Sequence, residues 1–321
     1  MTKATGAAEA DPTDLQTDLP PDLQTELETE LQTDLPTVGV IGLGAIGDGV
    51  AGSVHAAGFS LVVSDVREEA TARHAGHAAV AASPADLARA ADVVVVAVVN
   101  DEQVHAVLSG PSGALAAAGP DTTFVIVSTI TPECVRSVGV EADAVGVGVV
   151  DCGVSGGPTA AASGELICMV GGDEDIVAGL GPVFDAMGSL TVRMGPFGTG
   201  LAAKLARNLV QYGGWLAAYE GQALAEAAGI KLSKLAQVIR ASDAKIGGAA
   251  ALMFRPTVAQ FTEDDDPGFV GAMRNGADLA HKDLLAALAL GDELGVTLPL
   301  AAMTEARTDF IFGVAGDEEV R

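Results

Sequence analysis

Basic residues are few in this chain: 17 lysines and arginines against 43 aspartates and glutamates give its 321 residues a formal net charge of −26. Such a polyanion repels phosphodiester backbones and anionic lipid headgroups, which argues against nucleic acid and membrane surfaces as partners. Cysteines are fewer still. Cys134, Cys152 and Cys168 are odd in number and lack CxxC spacing, so they make neither a zinc set nor a disulfide framework. They are expected to be small packing residues in a reducing cytoplasm. Aromatics make up only 4%, so the interior has to be built from Ala, Val, Leu and Ile; 49% hydrophobic residues suffice for one or two domains. No apolar run nears the roughly 20 residues of a membrane helix, Val93 to Val99 being the longest. The acidic amino terminus carries no signal-peptide pattern. His55, His74, His77, His105 and His281 fall into no metal-like set, so no metal site is expected. His74 and His77, three apart in a polar stretch, are expected to be solvated.

What is there begins with residues 1–36, an acidic low-complexity tail. From Asp14 to Thr37 it runs in near-repeating tetrads: DLQT, DLPP, DLQT, ELET, ELQT, DLPT. One leucine per tetrad offers too little apolar surface to offset the entropy of ordering, so the tail is expected to be disordered. The alternative is an acidic docking helix, since leucines four apart fall near one helical face. After Pro36 the texture changes. Val38 to Ile41, Leu61 to Val63, Val93 to Val98 and Phe124 to Val127 are continuous apolar runs. Runs apolar on both faces suit the buried strands of a parallel sheet, and helical stretches alternate with them. Beyond about Thr191 strand signals stop, and Leu201 to Gly229 reads as one long helix followed by others.

Gly42-Leu43-Gly44-Ala45-Ile46-Gly47 directly follows the first strand run and opens a helical pattern. In a chain with 40 glycines, placement matters more than spacing. The first glycine permits a tight turn and the second lets a pyrophosphate approach the backbone. The third allows close helix–strand packing, with phosphates at the helix N-terminus. Asp65 closes the second strand run about 20 residues on, where an acid can hold adenosine ribose hydroxyls. It would repel a 2′-phosphate, which favours NAD, while Arg67 offers a charge that could receive one, which leaves NADP open. The expected fold is an α/β Rossmann domain over residues 37–197, then an all-α domain over 198–321 built on one long helix. Residues 198–321 would serve substrate binding and dimerisation.

Four separated motifs, in order, resemble the β-hydroxyacid dehydrogenase family, which includes 3-hydroxyisobutyrate dehydrogenase and 6-phosphogluconate dehydrogenase. The resemblance spans Val38 to about Ala302. The first motif is the glycine loop, with Ile46 where the family usually has Met. The second, Ser128-Thr129-Ile130-Thr131-Pro132, is similar to S-T-x-x-P, whose threonine approaches the nicotinamide. The third, Asp151-Cys152-Gly153-Val154-Ser155-Gly156-Gly157, is similar to D-A-P-V-S-G-G; Cys-Gly replaces Ala-Pro, but Ser155, Gly156 and Gly157 remain to bind a substrate carboxylate. The fourth, Gly198-Thr199-Gly200 with Lys204 and Asn208, resembles G-x-G-x-x-x-K-x-x-N-N. Its lysine is the family's catalytic acid/base and its second asparagine contacts substrate; Arg207 replaces the first. Glu220 matches a structural acid. Lys282-Asp283-Leu284 resembles K-D-L, whose lysine reaches toward the cofactor. The resemblance implies a homodimer or tetramer acting on a small hydroxy acid.

The residues make their own case for Lys204. Lysines are limited to Lys3, Lys204, Lys231, Lys234, Lys245 and Lys282, and Lys204 lies among Leu201, Ala202, Ala203, Leu205, Ala206 and Leu209. That run is expected to be largely buried, and burial moves a lysine's pKa toward a range useful for proton transfer. At helical spacing Gly200, Lys204, Arg207, Asn208, Gln211 and Trp215 share one stripe, the alternative being a plain solvent face. Arg207 either enters the site or turns away to pair with an acid. The expected sets are Lys204 and Asn208 for catalysis, and Ser155, Gly156, Gly157, Arg207, Gln211 and Trp215 for substrate. For the cofactor they are Gly42, Leu43, Gly44, Ala45, Ile46, Gly47, Asp65, Arg67, Val99, Asn100, Thr129 and Lys282. Two rival functions remain open: an imine or ketone reductase on the same scaffold, and a non-catalytic NAD-binding regulatory protein.

Overall fold

The computed structural model describes residues 35–315. The expectations for residues 1–34, disordered tail or docking helix, lie outside them. The chain divides into two compact units, the first ending at Leu205 and the second beginning at Ala206.

The first unit is one eight-stranded sheet: β1 (Val38–Ile41), β2 (Leu61–Ser64), β3 (Ala79–Val80), β4 (Val93–Val96), β5 (Thr123–Ile126), β6 (Gly148–Ser155), β7 (Leu166–Gly171) and β8 (Gly188–Gly195). Their spatial order is β3-β2-β1-β4-β5-β6-β7-β8. Every described neighbouring pair is parallel except β6 and β7. From β3 to β6 this is the doubly wound order, with its switch between β1 and β4, where such sheets bind ligands. Helices α1 (Gly47–Ala56), α2 (Glu68–Ala72), α3 (Pro84–Ala90), α4 (Asp101–Leu108), α5 (Ala114–Ala117), α6 (Pro132–Val145), α7 (Gly157–Ser163), α8 (Glu174–Gly179) and α9 (Gly181–Met187) connect the strands.

The continuous apolar runs are explained by burial on both faces. Alternate residues of a strand point to opposite sides. Val38, Val40, Val63, Val95 and Val125 enter one core cluster, and Ile41, Val62, Val94, Val96 and Ile126 the other. Cys134, Cys152 and Cys168 are buried free thiols.

The second unit is helical. It continues α10 (Thr199–Ala227) and adds α11 (Leu232–Ile246), α12 (Pro267–Leu294), α13 (Pro299–Glu305) and α14 (Thr308–Phe312). The architecture is therefore the expected one, an α/β Rossmann sheet followed by helices built on one long helix. Within this unit Glu220, 6% exposed, accepts from Leu300 N at 2.8 Å and Ala301 N at 3.0 Å and so caps α13. That is a structural role. The expected burial of the run around Lys204 is not found: Leu201 is 3% exposed, but Leu205, Val210 and Leu209 are 42%, 40% and 76% exposed. Only the first turn of α10 sinks into the sheet's core, and apolar composition beyond it does not mean interior position in one chain. Among the described residues no helix is long and apolar enough to cross a membrane.

Candidate functional site

The parallel strands deliver their following loops to one edge of the sheet. Gly42 follows β1 there, Asp65 follows β2, Val99 and Asn100 follow β4, and Thr129 follows β5; Ser155 ends β6.

In the glycine loop each glycine has a distinct reason. Gly42 has φ +91°, and a Cβ on it would lie 2.8 Å from Ala97 O. Nothing lies within 4 Å of a Cβ built on Gly44, while one on Gly47 would overlap Gly42 O. Turn, open approach and tight packing thus occur in the order a dinucleotide cradle needs. Leu43 is fixed at both ends of its peptide units: its N–H donates to Asp65 at 2.7 Å, and its carbonyl accepts from Arg67 at 3.0 Å and Arg73 at 3.3 Å. Burial pushes the Asp65 carboxyl up, but hydrogen bonds from the Arg67 side chain, the Arg67 N–H and the Leu43 N–H outweigh it and hold the group at about 2. Asp65 is therefore anionic at any working pH.

One expectation fails beside this loop. His74 is 5% exposed, not solvated, with Nε2 3.0 Å from Asp48 and Nδ1 3.1 Å from His77. Asp48, which also accepts from Arg73 at 2.8 Å, draws the ring in from the first turn of α1. His77 is exposed, as expected, and stacks on His55 at 4.3 Å.

Val99 is 76% exposed, and its N–H donates to Gln103 at 2.9 Å. Asn100 caps α4 by accepting from Gln103 N at 2.9 Å. Thr129 is exposed. Next to it, Thr131 donates its N–H to Asp101 at 3.1 Å and its hydroxyl to the same carboxylate. The Thr131 hydroxyl holds Asp101 below the usual carboxylate range. Asp101 so ties together the loops after β4 and β5, a role no sequence spacing announced. An apolar cavity of about 300 Å³ lies alongside, lined by Ile130, Val135, Phe197, Leu201 and Leu205 among others.

The end of β6 meets the start of α10. Asp151 is fully buried and accepts from Gly198 N and Leu201 N, both at 2.6 Å, capping the long helix from the sheet. Burial raises its pKa, and these N–H groups only partly offset it. Lys204, half-buried, donates from Nζ to the carbonyl of Val154. Ser155, next in sequence, is 9% exposed, and Gly156 and Gly157 turn the chain at φ +124° and +71°. Lys204 and the Ser155–Gly157 turn are thus brought together. The glycine loop is linked to that turn through helix packing: a Cβ on Gly49 of α1 would lie 2.7 Å from Ala161 Cβ of α7.

The remaining expected residues belong to the second unit. Arg207 is exposed, and its guanidinium donates to Gln211 and, at 3.4 Å, to Asn208. Its partners here are amide oxygens, not an acid. Trp215 is 60% exposed with its ring edge-on to Tyr212 at 5.2 Å. Lys282 is exposed and pairs with Asp283 at 3.4 Å. Among the described residues no group of His, Cys, Asp and Glu could hold a metal ion.

Residues 37–195 match the family model of the NAD binding domain of 6-phosphogluconate dehydrogenase. Residues 198–317 match that of the NAD-binding region of NADP-dependent 3-hydroxyisobutyrate dehydrogenase. The chain is 39% identical over 280 residues to an uncharacterised oxidoreductase of Mycobacterium tuberculosis, covering 87% of this chain and 94% of that one. It is 30% identical over 267 residues to the 2-(hydroxymethyl)glutarate dehydrogenase of Eubacterium barkeri, covering 83% and 86%. A solved structure from Mycobacterium avium is similar over 88% of this chain and 100% of its own, at 34% identity and TM-score 0.79.

Proposed function

The chain belongs to the β-hydroxyacid dehydrogenase family of NAD(P)-dependent oxidoreductases, and from that premise we propose that it oxidises a small β-hydroxy acid, or reduces the matching semialdehyde, with Lys204 as general acid/base. One observation carries the reading: the Lys204 ammonium bonds the Val154 carbonyl, one residue before the Ser155–Gly157 turn.

The residues fit a dinucleotide. The open space at Gly44 and the close contacts at Gly42 and Gly47 leave the loop's backbone free to hold a pyrophosphate. The anionic Asp65 would hold the adenosine ribose. NAD is the preferred form, because Arg67 is tied to Asp65 and to Leu43 O. Val99, Asn100, Thr129 and Lys282 are assigned to the cofactor, the last two on the motif. When bound, the dinucleotide supplies the hydride acceptor. Ser155 and the N–H groups of Gly156 and Gly157 take the substrate carboxylate as a turn-shaped nest. Lys204, as the neutral amine, accepts the hydroxyl proton as the alcohol carbon becomes a carbonyl, and as the ammonium returns it in reduction. Asn208, Arg207, Gln211 and Trp215 are assigned substrate contacts on the motif and their place along the same helix.

The imine or ketone reductase reading lacks a use for Lys204 beside a carboxylate turn. A non-catalytic binding protein would have no use for it either. The test is dinucleotide reduction by the purified chain across a panel of β-hydroxy acids. Turnover with at least one of them is expected; tight dinucleotide binding without turnover on any would favour the binding protein.

A further inference from the structure

Gly153 stands where the family pattern has proline, and the structure shows what its bareness permits. A Cβ built on it would lie 2.5 Å from Lys204 Cβ, 2.7 Å from Gly200 O and 3.3 Å from Lys204 Cγ. Real Cβ atoms essentially never make the first two of these contacts, and Gly200 O is backbone, which cannot swing aside. Gly200 is as tight from the helix side: a Cβ there would lie 2.5 Å from Asp151 O and 2.7 Å from Gly171 N. Gly171 completes the set, since its Cβ would lie 2.7 Å from Gly200 N and 2.8 Å from Pro196 O. Three glycines on three elements therefore form one seat, in which β6, β7 and the first turn of α10 meet backbone against backbone. Asp151 bolts the seat by capping the same turn through Gly198 N and Leu201 N.

We propose that Gly153 is a positioning residue for Lys204: its missing side chain fixes how closely the Lys204-bearing turn lies on β6, and so holds the ε-amino group at the Val154–Ser155 carbonyl edge. This rests on Lys204 being the acid/base. The lysine stem has to pass directly over position 153 before its ammonium reaches Val154 O. In this chain's close packing a side chain at 153 would meet Lys204 Cβ and Gly200 O and lift the stem, while the glycine loop and Asp65, on other strands, are untouched. A misplacement of about 1 Å in a catalytic group costs on the order of 10²-fold in rate.

The experiment compares Gly153→Ala, Gly200→Ala, Gly172→Ala and Lys204→Ala in the full chain. Gly172 is the packing control: a Cβ there would lie 2.6 Å from a Val150 methyl and so disturbs the sheet away from Lys204. For each variant, thermal stability, NAD affinity by fluorescence, and kcat and KM are measured. Gly153→Ala is expected to lower kcat on the order of 10- to 100-fold, with NAD affinity within about twofold, and Gly200→Ala to reproduce that split. Gly172→Ala is expected to lose stability but keep kcat. A folded Gly153→Ala with undiminished kcat overturns the proposal, as does an equal kcat loss in Gly172→Ala. Failure of both seat variants to fold while Gly172→Ala folds assigns the seat to structure alone and also overturns it. If Lys204→Ala keeps its kcat, the acid/base reading itself falls; if it loses kcat and Gly153→Ala does not, only the positioning role falls.

Discussion

The two units of this chain bury their apolar residues very differently. In the sheet unit, β1, β2 and β4 are buried at every position, and both large core clusters lie within it. In the helical unit, α11 has no buried residue over 15 positions, and α12 has only Ala277 and Gly291 over 28. Leu209, Trp215, Tyr219, Val238, Ile246 and Val258 are each at least 60% exposed. The difference teaches that similar apolar content serves two ends. In the sheet it makes an interior; in the helices it leaves large apolar side chains exposed, the kind of surface that marks an interaction face when contiguous. A second copy of the chain is the proposed cover, consistent with closed symmetric assembly.

That contrast is open to direct attack. The largest effect is expected from charging the helical surface. Leu209→Asp combined with Tyr219→Asp should convert a dimer or tetramer to monomer and lower Tm, read by light scattering and calorimetry. A wild-type chain that is already a stable monomer at micromolar concentration would remove the contrast's meaning. Next comes the sheet unit's own anchor. Asp151→Asn turns an amide toward one of its two N–H donors, at part-buried Gly198 and buried Leu201. Leaving such a donor unpaired costs about 1–3 kcal/mol, so Tm should fall by several degrees without loss of assembly.

The smallest effect concerns pH in the helical unit. His281 of α12 lies 3.0 Å from Glu305 and 3.3 Å from Asp309. The Glu305 hydrogen bond raises its pKa, desolvation opposes it, and the Asp309 hydrogen bond and the two carboxylate charges add to the rise. A folded-state pKa above the unfolded value of about 6.5 stabilises fully below that pH, and the gain is lost as pH rises through the raised value. Tm should therefore drift down slightly as pH rises above about 6.5, and His281→Gln should flatten the drift. A Tm that rises with pH over that range, equally in both proteins, would show that this bridge does not contribute.

The same contrast explains what the sequence made legible. β1, β2, β4 and β5 were readable because both faces of a central parallel strand are apolar. β6 and β8 were not, since Asp151 and Gly153 interrupt the first and the exposed face of the second breaks any simple period. The glycine loop, Asp65, Lys204 and the Ser155 turn were singled out through short motifs whose chemistry is local. Asp151 capping a helix 47 residues on, Asp101 holding Thr131 and Asp48 burying His74 were invisible, because each depends on a contact between distant segments. The burial of α10 was overestimated for a related reason: helical periodicity cannot tell an interior face from one that stays exposed in the single chain.

The central claim is that Lys204 moves the substrate proton, and one comparison tests it most directly. Lys204→Ala and the unmodified chain are given the best β-hydroxy acid of the panel, and kcat is followed across pH beside NAD affinity. A general acid/base contributes about 10²–10⁴-fold. The variant should lose turnover on that scale, lose the ionisation that governs the unmodified chain's kcat profile, and still bind NAD within about twofold. A folded variant with undiminished kcat and an unchanged pH profile would contradict the account.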